Sequence, residues 1–179
     1  MNITNAFNVT SNQTLKNRLC KSAMTEGVAD KNSFCNKRHE NLYKTWANGG
    51  IGLSISGNVQ VDRRYMEGPG NIAIEENTYK EQLDSLKKWA NAGRQNATEF
   101  WMQISHAGRQ TPQPLSNEPL APSSVQLKIP GKAYGVPKEM SEEDIQDVIR
   151  RFVFVSKVAK EVGFTGIQLH SAHGYLLSQ

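Results

Sequence analysis

Two hydrophobic periods alternate along the chain. In the stretch 51–57, Ile51, Leu53 and Ile55 alternate with Gly52, Ser54 and Ser56, the period-two pattern of a strand. Residues 98–105 repeat the theme around Phe100, Trp101 and Met102. In 165–170, Ile167 and Leu169 alternate with Gly166 and Gln168. A first strand is predicted over 15–23. Between these strands the period lengthens to that of a helix. The stretch 36–48 is stopped by Gly49 and Gly50. In 78–93, Thr78 and Glu81 have the spacing of a capping box, and Tyr79, Leu83, Leu86 and Ala90 share a face. In 141–162, Ser141 is the predicted cap with Asp144 at the third position. Ile145, Val148, Ile149, Phe152, Ser156, Ala159 and Val162 form its apolar face, and Gly163 ends it. Strand, helix, strand, helix, strand, helix, strand is the signature of parallel βα units, an α/β fold.

One segment breaks the rhythm. Residues 111–140 hold six of the seven prolines and no periodicity. A loop this long in a compact domain is usually a lid or a binding loop; a small hairpin is predicted around 125–129. The 179 residues suffice for one domain with a real core.

Charge and composition narrow the function classes. The net charge is +4, with no dense Lys/Arg stripe; Lys87-Lys88 and Arg150-Arg151 read as isolated pairs on helix surfaces, so no nucleic-acid partner is expected. No apolar run approaches the ~20 residues of a membrane span. The polar N-terminus has no secretory leader pattern, and Cys20 and Cys35 form neither a zinc pattern nor a disulfide framework. A cytoplasmic protein with reduced thiols is expected.

In parallel α/β folds the chemistry collects past the C-terminal ends of strands. Each predicted strand here ends in a polar or small cluster: Ser22 to Thr25, Ser56 to Asn58, Gln103 to Arg109, and His170 to Tyr175. Each has a plainer reading as turn chemistry or a satisfied buried group. His170 and His173 could form half of a metal site, but no Glu, Asp or Cys stands as an obvious third ligand, and no metal is expected. His39 reads as a helix-surface residue. A flavin accounts for the set better. Gly52, Ser54, Ser56 and Gly57 would make a small floor for a flat ring. Gln103 offers both a donor and an acceptor to a pyrimidine edge. Paired imidazoles can hold a carbonyl oxygen on which charge grows, and a phenol can supply a proton.

These residues resemble the old yellow enzyme family, the FMN-dependent NADH:flavin oxidoreductase/NADH oxidase-like (β/α)8 TIM barrels. Three stretches carry the resemblance: Leu15 to Thr25, Gln103-Ile-Ser-His-Ala-Gly-Arg109, and Gly163 to Gln179 with its His-Ser-Ala-His-Gly-Tyr core. The resemblance implies FMN as cofactor and NAD(P)H as reductant, with a small enone-type molecule as substrate. It implies that Ala23, Met24, Thr25, Gly57, Gln103 and His170 contact the flavin, Thr25 near its N5/O4 edge. It implies that His170 and His173 bind the substrate's activating oxygen and that Tyr175 donates the proton.

A whole barrel needs more residues than these 179, typically ~250. The chain therefore corresponds to the first half of a (β/α)8 barrel, about four βα units, and is expected to be truncated and inactive alone. The family's phosphate site lies in the other half. A non-catalytic reading competes: a half-barrel leaves its first and fourth strands as open edges, which favour self-association into a homo-oligomer.

Overall fold

The computed structural model describes residues 2–179. Three helices pack on one face of a parallel sheet, preceded by a short hairpin. The hairpin pairs β1 (Phe7–Thr10) with β2 (Gln13–Leu15) antiparallel. Gln13 then ties it under the sheet, its Nε2 donating to the Glu99 carboxylate at 2.7 Å and to the Thr165 carbonyl at 3.2 Å.

The sheet contains β3 (Cys20–Lys21), β4 (Leu53–Ile55), β5 (Val59–Gln60), β6 (Glu99–Ser105) and β9 (Gly166–Leu169). Its order is β3-β4-β6-β9, all parallel, with β5 continuing beside the far end of β6. The helices α1 (Lys37–Asn48), α2 (Tyr79–Gly93) and α3 (Glu142–Val162) link successive strands. Neighbours in sequence are neighbours in the sheet, the order of one continuous barrel wall.

Register sorts the side chains into two faces. Phe100, Met102 and Ile104 of β6 point to the helices and join Tyr43, Trp89, Phe152 and Phe164 in the main core. Leu53 and Ile55 of β4 point the other way, with Trp101, onto Leu15 of the hairpin. Each large side chain fully buried in this way contributes about 1.5–3 kcal/mol.

The predicted cap at Ser141 is present, and the one predicted at Thr78 is not. Asn36 caps α1 and Ser141 caps α3, each reciprocated by the residue three on. Gly163 ends α3 at φ 101°, a left-handed position that favours glycine. Thr78 does not cap α2. The backbone enters through a turn in which the amides of Thr78 and Tyr79 both donate to the Glu75 carbonyl, and the Thr78 hydroxyl is buried without a partner.

Other expectations are corrected. The strand predicted over 15–23 shrinks to two residues, because Asn17 diverts the backbone. Its side chain accepts from the Leu19 amide at 3.0 Å and donates to the Gly50 carbonyl at 2.7 Å. The hairpin predicted around 125–129 is absent. The proline-rich loop instead pairs β7 (Leu120–Ala121) with β8 (Lys138–Glu139) in parallel, joining two distant points of the loop. His39 is buried rather than on the surface: its Nδ1 accepts from the Asn36 amide at 3.2 Å and its ring lies 5.4 Å from Trp89. Arg151 is no isolated surface charge, since it meets Asp147, Asp62 and Glu75 at 2.7, 3.4 and 3.4 Å. The apolar face of α3 is rotated, with Val155 and Val158 buried while Ile145 and Ile149 are exposed.

Candidate active site at the strand ends

The C-terminal ends of β3, β4, β6 and β9 converge on a cleft of about 370 Å³, lined among others by Ala23, Ile55, Gln103, Gln168, His170 and His173. Register explains the central pair. Gln103 and Gln168 are partners on adjacent parallel strands, so both amides face the cleft side by side. Gln103 Nε2 donates to Gln168 Oε1 at 2.8 Å. That bond fixes both amides and leaves Gln103 with a carbonyl oxygen and a second N–H to offer.

The turn after β9 is unusual in its backbone. His170 still belongs to the ladder, donating its amide to the Ile104 carbonyl at 2.9 Å. His173 at φ 59° and Gly174 at φ 75° are then both left-handed. For histidine this is a costly conformation that the surroundings must impose. Gln110 Nε2 grips the His173 carbonyl at 2.5 Å, and Gln179 Nε2 grips that of Gly174 at 2.7 Å. The result folds three rings together. His170 lies edge-on to Tyr175 at 4.8 Å and to His173 at 5.2 Å, while His173 and Tyr175 stand 6.5 Å apart.

Their proton states differ. Burial, and next the neighbouring His173, lower the pKa of His170, with Glu67 opposing. At neutral pH His170 is an uncharged imidazole with one donor and one acceptor nitrogen. Burial and the Glu67 carboxylate push Tyr175 well above the usual phenol range, so it keeps its proton.

The ends of β3 and β4 look different. The Gly57 amide donates to the Glu26 carboxylate at 2.9 Å and to the Tyr43 hydroxyl at 3.0 Å. Tyr43 also donates to Glu26 in a short contact, and Lys21 Nζ donates to Tyr43 at 3.2 Å and to the Ile55 carbonyl at 2.8 Å. A Cβ at Gly57 would fall on the Glu26 carboxylate and the Met24 carbonyl. Glycine is required there by this close approach of two strand ends. The expected small floor is corrected too. Ser54 is paired in register with Phe100 and so faces the helices, and Ser56 is buried, its Oγ accepting from the Gln103 amide at 3.0 Å; Ile55 faces the cleft.

The remaining expected residues divide. Ala23 lines the cleft and Met24 projects to solvent. The Thr25 hydroxyl lies 3.2 Å from Asn58 Oδ1 and 3.1 Å from Glu67 Oε2. Sequence reasoning missed Gln168, Glu67 and the Lys21–Tyr43–Glu26 knot. Gln168 had a signal, a polar residue alternating with Ile167 and Leu169; the other contacts join residues far apart in sequence and show only in three dimensions.

The donor set suits a flavin. A uracil-like edge needs both a donor and an acceptor from a fixed partner, which the bonded Gln103–Gln168 pair supplies beside His170. Among the described residues no three His, Cys, Asp or Glu side chains cluster.

Comparison with known proteins bears on this geometry. The sequence profile of the NADH:flavin oxidoreductase / NADH oxidase family matches residues 6–179. An NADH-dependent flavin oxidoreductase from Hypocrea jecorina is 33% identical over 93% of this chain and 45% of its own length. An NADH oxidase from Thermoanaerobacter brockii is 34% identical over 94% of this chain and 25% of its own. The chain thus spans less than half the length of these relatives. Among solved structures, the old yellow enzyme homologue from Zymomonas mobilis superposes with a TM-score of 0.84 at 23% identity, covering 97% of this chain and 49% of that one. The fold is that of the first half of a TIM barrel, and the chain belongs to the NADH:flavin oxidoreductase / NADH oxidase family.

Proposed function

We propose that these strand ends are the flavin and substrate face of an FMN-dependent ene-reductase, reduced by NAD(P)H and acting on the C=C bond of α,β-unsaturated carbonyl compounds. The observation that carries the reading is the packing of His170, His173 and Tyr175 beside the Gln103–Gln168 edge. FMN, when bound, would supply the hydride. The chain's own residues do the rest. Gln103 holds the pyrimidine edge. The two imidazoles donate to the substrate carbonyl oxygen and stabilise the charge that grows there. Tyr175, still protonated at neutral pH, delivers a proton to the α-carbon. The test is a double substitution, His170→Asn with His173→Ala, made in a full-length, FMN-loaded context and titrated with a phenol or an enone. Binding is expected to weaken by more than tenfold; unchanged affinity removes the role assigned to the pair.

A flavin seated on these strand ends would remain open to water beside β3 and β9, each of which pairs on one side only. The 179 residues alone are therefore expected to hold FMN weakly and to turn over enones negligibly, which a fluorescence titration and an anaerobic NADPH–cyclohexenone assay would check. One observation favours a second reading, self-association through that edge. Ile149 and Val153 of α3 and Ile167 and Leu169 of β9 form an apolar groove, each 38–52% exposed. A second copy would cover it, and a clean monomer in light scattering at high concentration would exclude this.

A further inference from the structure

We propose that Gln110 is a positioning residue of this site: its side-chain amide, carried on the turn after β6, selects the left-handed backbone at His173 and so places that imidazole against His170. What His173 then binds rests on the reading of the cleft as a substrate site.

Two conformations are open to the turn after β9. The Tyr175 amide donates to the Ala172 carbonyl at 3.2 Å, closing a four-residue turn with His173 and Gly174 at its centre. A residue followed by glycine suits a type II turn, in which only the glycine is left-handed. Here both central residues are left-handed, at φ 59° and 75°. Those are the signs of a type I′ turn, whose first central position favours Asn, Asp or Gly over histidine. Both types keep the closing hydrogen bond. They differ at His173, where φ changes sign and the ring leaves the backbone in another direction. The local sequence favours the type that is not observed, so the choice is made by a contact from outside the turn.

Two side chains hold its carbonyls, and they are not equivalent. Gln179 Nε2 donates to the Gly174 carbonyl at 2.7 Å, and its Oε1 accepts from the Arg109 amide at 3.4 Å. It secures a glycine that is left-handed in either type. Gln110 Nε2 donates to the His173 carbonyl at 2.5 Å. The direction of that carbonyl follows the ψ of His173, which the two types set differently. Gln110 is therefore the contact that distinguishes them.

The platform behind Gln110 is firm. The residue ends the one-turn helix Gly108–Gln110, and its amide donates to the Ala107 carbonyl at 3.1 Å. Thr111 is fully buried and returns its amide and its hydroxyl to the Gly108 carbonyl at 3.0 and 2.9 Å. The Leu176 amide donates to the His106 carbonyl at 3.1 Å, which joins the two turns through the backbone as well. Their approach is close: a Cβ at Gly108 would fall 2.5 Å from the Gln179 amide.

The first experiment needs no flavin. A positive φ gives a strong NOE between a residue's own amide and Hα protons. The 179-residue chain is expected to show it at His173 and at Ser33, a remote left-handed residue at φ 58° that controls for an intact fold. In Gln110→Glu, which keeps the size and removes the donor, and in Gln110→Ala, the His173 signal should drop several-fold while Ser33 keeps its own. A His173 signal kept in either folded variant, or missing from the wild type, overturns the proposal. If one variant fails to fold the other decides, and if neither folds Gln110 is structural and the proposal falls. A full-length, FMN-loaded protein adds a readout that a merely structural role would not move. Phenol affinity should drop several-fold in Gln110→Ala, with no further loss when His173→Ala is already present. A loss that persists on that background overturns the proposal. Unchanged affinity on replacing His173 itself rejects the substrate reading instead, and the NOE alone then decides the positioning.

Discussion

The polar groups at the ends of β3 and β4 are spent on one another, whereas those at the ends of β6 and β9 are left over. On the first side, Lys21, Glu26, Tyr43 and the Gly57 amide satisfy one another in a half-buried knot. On the second, Gln103 and Gln168 share one bond and keep free donors and acceptors at a cleft, and the three rings beyond them rest edge to edge. Both sides are polar and both are strand ends. Polar residues at barrel strand ends therefore mark a site only where their hydrogen-bonding capacity is left over; where it is consumed internally they hold two βα units together.

The largest effect should come from breaking the knot. Tyr43 is fully buried against Trp46, Trp89 and Phe100. Tyr43→Ala is expected to cost about 3–5 kcal/mol in urea unfolding, from lost packing and a cavity. A cost below about 1 kcal/mol would mean the knot does not hold these units together.

The next effect appears in acid, under the cleft side. His106 follows β6, is buried, and is held down to about 4 by that burial. Its Nδ1 accepts from the Gly108 amide at 3.0 Å. Below its ordinary value of 6.5, the unfolded chain takes up a proton that the folded chain refuses until about pH 4. Its contribution is full above pH 6.5 and is lost as pH falls towards 4, amounting to about 3 kcal/mol over that window. His106→Asn, whose side-chain oxygen can take the place of Nδ1, should flatten the acid limb of the urea midpoint; an unchanged limb assigns it to other groups.

How far the sequence revealed this contrast follows from the kind of information each part needs. The four units, the Ser141 cap and the glycine helix ends depend on local periodicity and on Ser and Gly at helix ends, so they were readable. The cluster of His170, His173 and Tyr175 was readable because one short turn carries all three. The small floor was misread because Ser54 and Ser56 lie on the helix face, a distinction that depends on which face each neighbouring strand buries. The Gln103–Gln168 pair needed the register of β6 against β9. Glu67 needed the path of a loop with no periodicity at all.

A smaller effect separates binding from stability on the cleft side. Gln103→Leu removes the amide that reaches the cleft and strands Gln168 Oε1, which sits at the accessible mouth. Flavin affinity should fall about tenfold, roughly 1.5 kcal/mol, read by fluorescence quenching, while the unfolding midpoint changes little. Equal affinity in the variant would remove Gln103 from the cofactor edge.

The smallest effect on folding should come from His173, and its sign sharpens the contrast most. The side chain is exposed and the backbone is left-handed at φ 59°. A non-glycine residue there carries about 1–2 kcal/mol of steric cost, which glycine relieves. Glycine also gives the unfolded chain more freedom, offsetting about 0.5–1 kcal/mol of that gain. His173→Gly is therefore expected to be neutral or stabilising by up to about 1 kcal/mol, while phenol binding to the reconstituted protein weakens. A residue kept for packing would show the opposite pattern. A loss of more than about 2 kcal/mol in the unfolding experiment, with ligand affinity unchanged, would place His173 among the structural residues and leave His170 alone to hold the substrate oxygen.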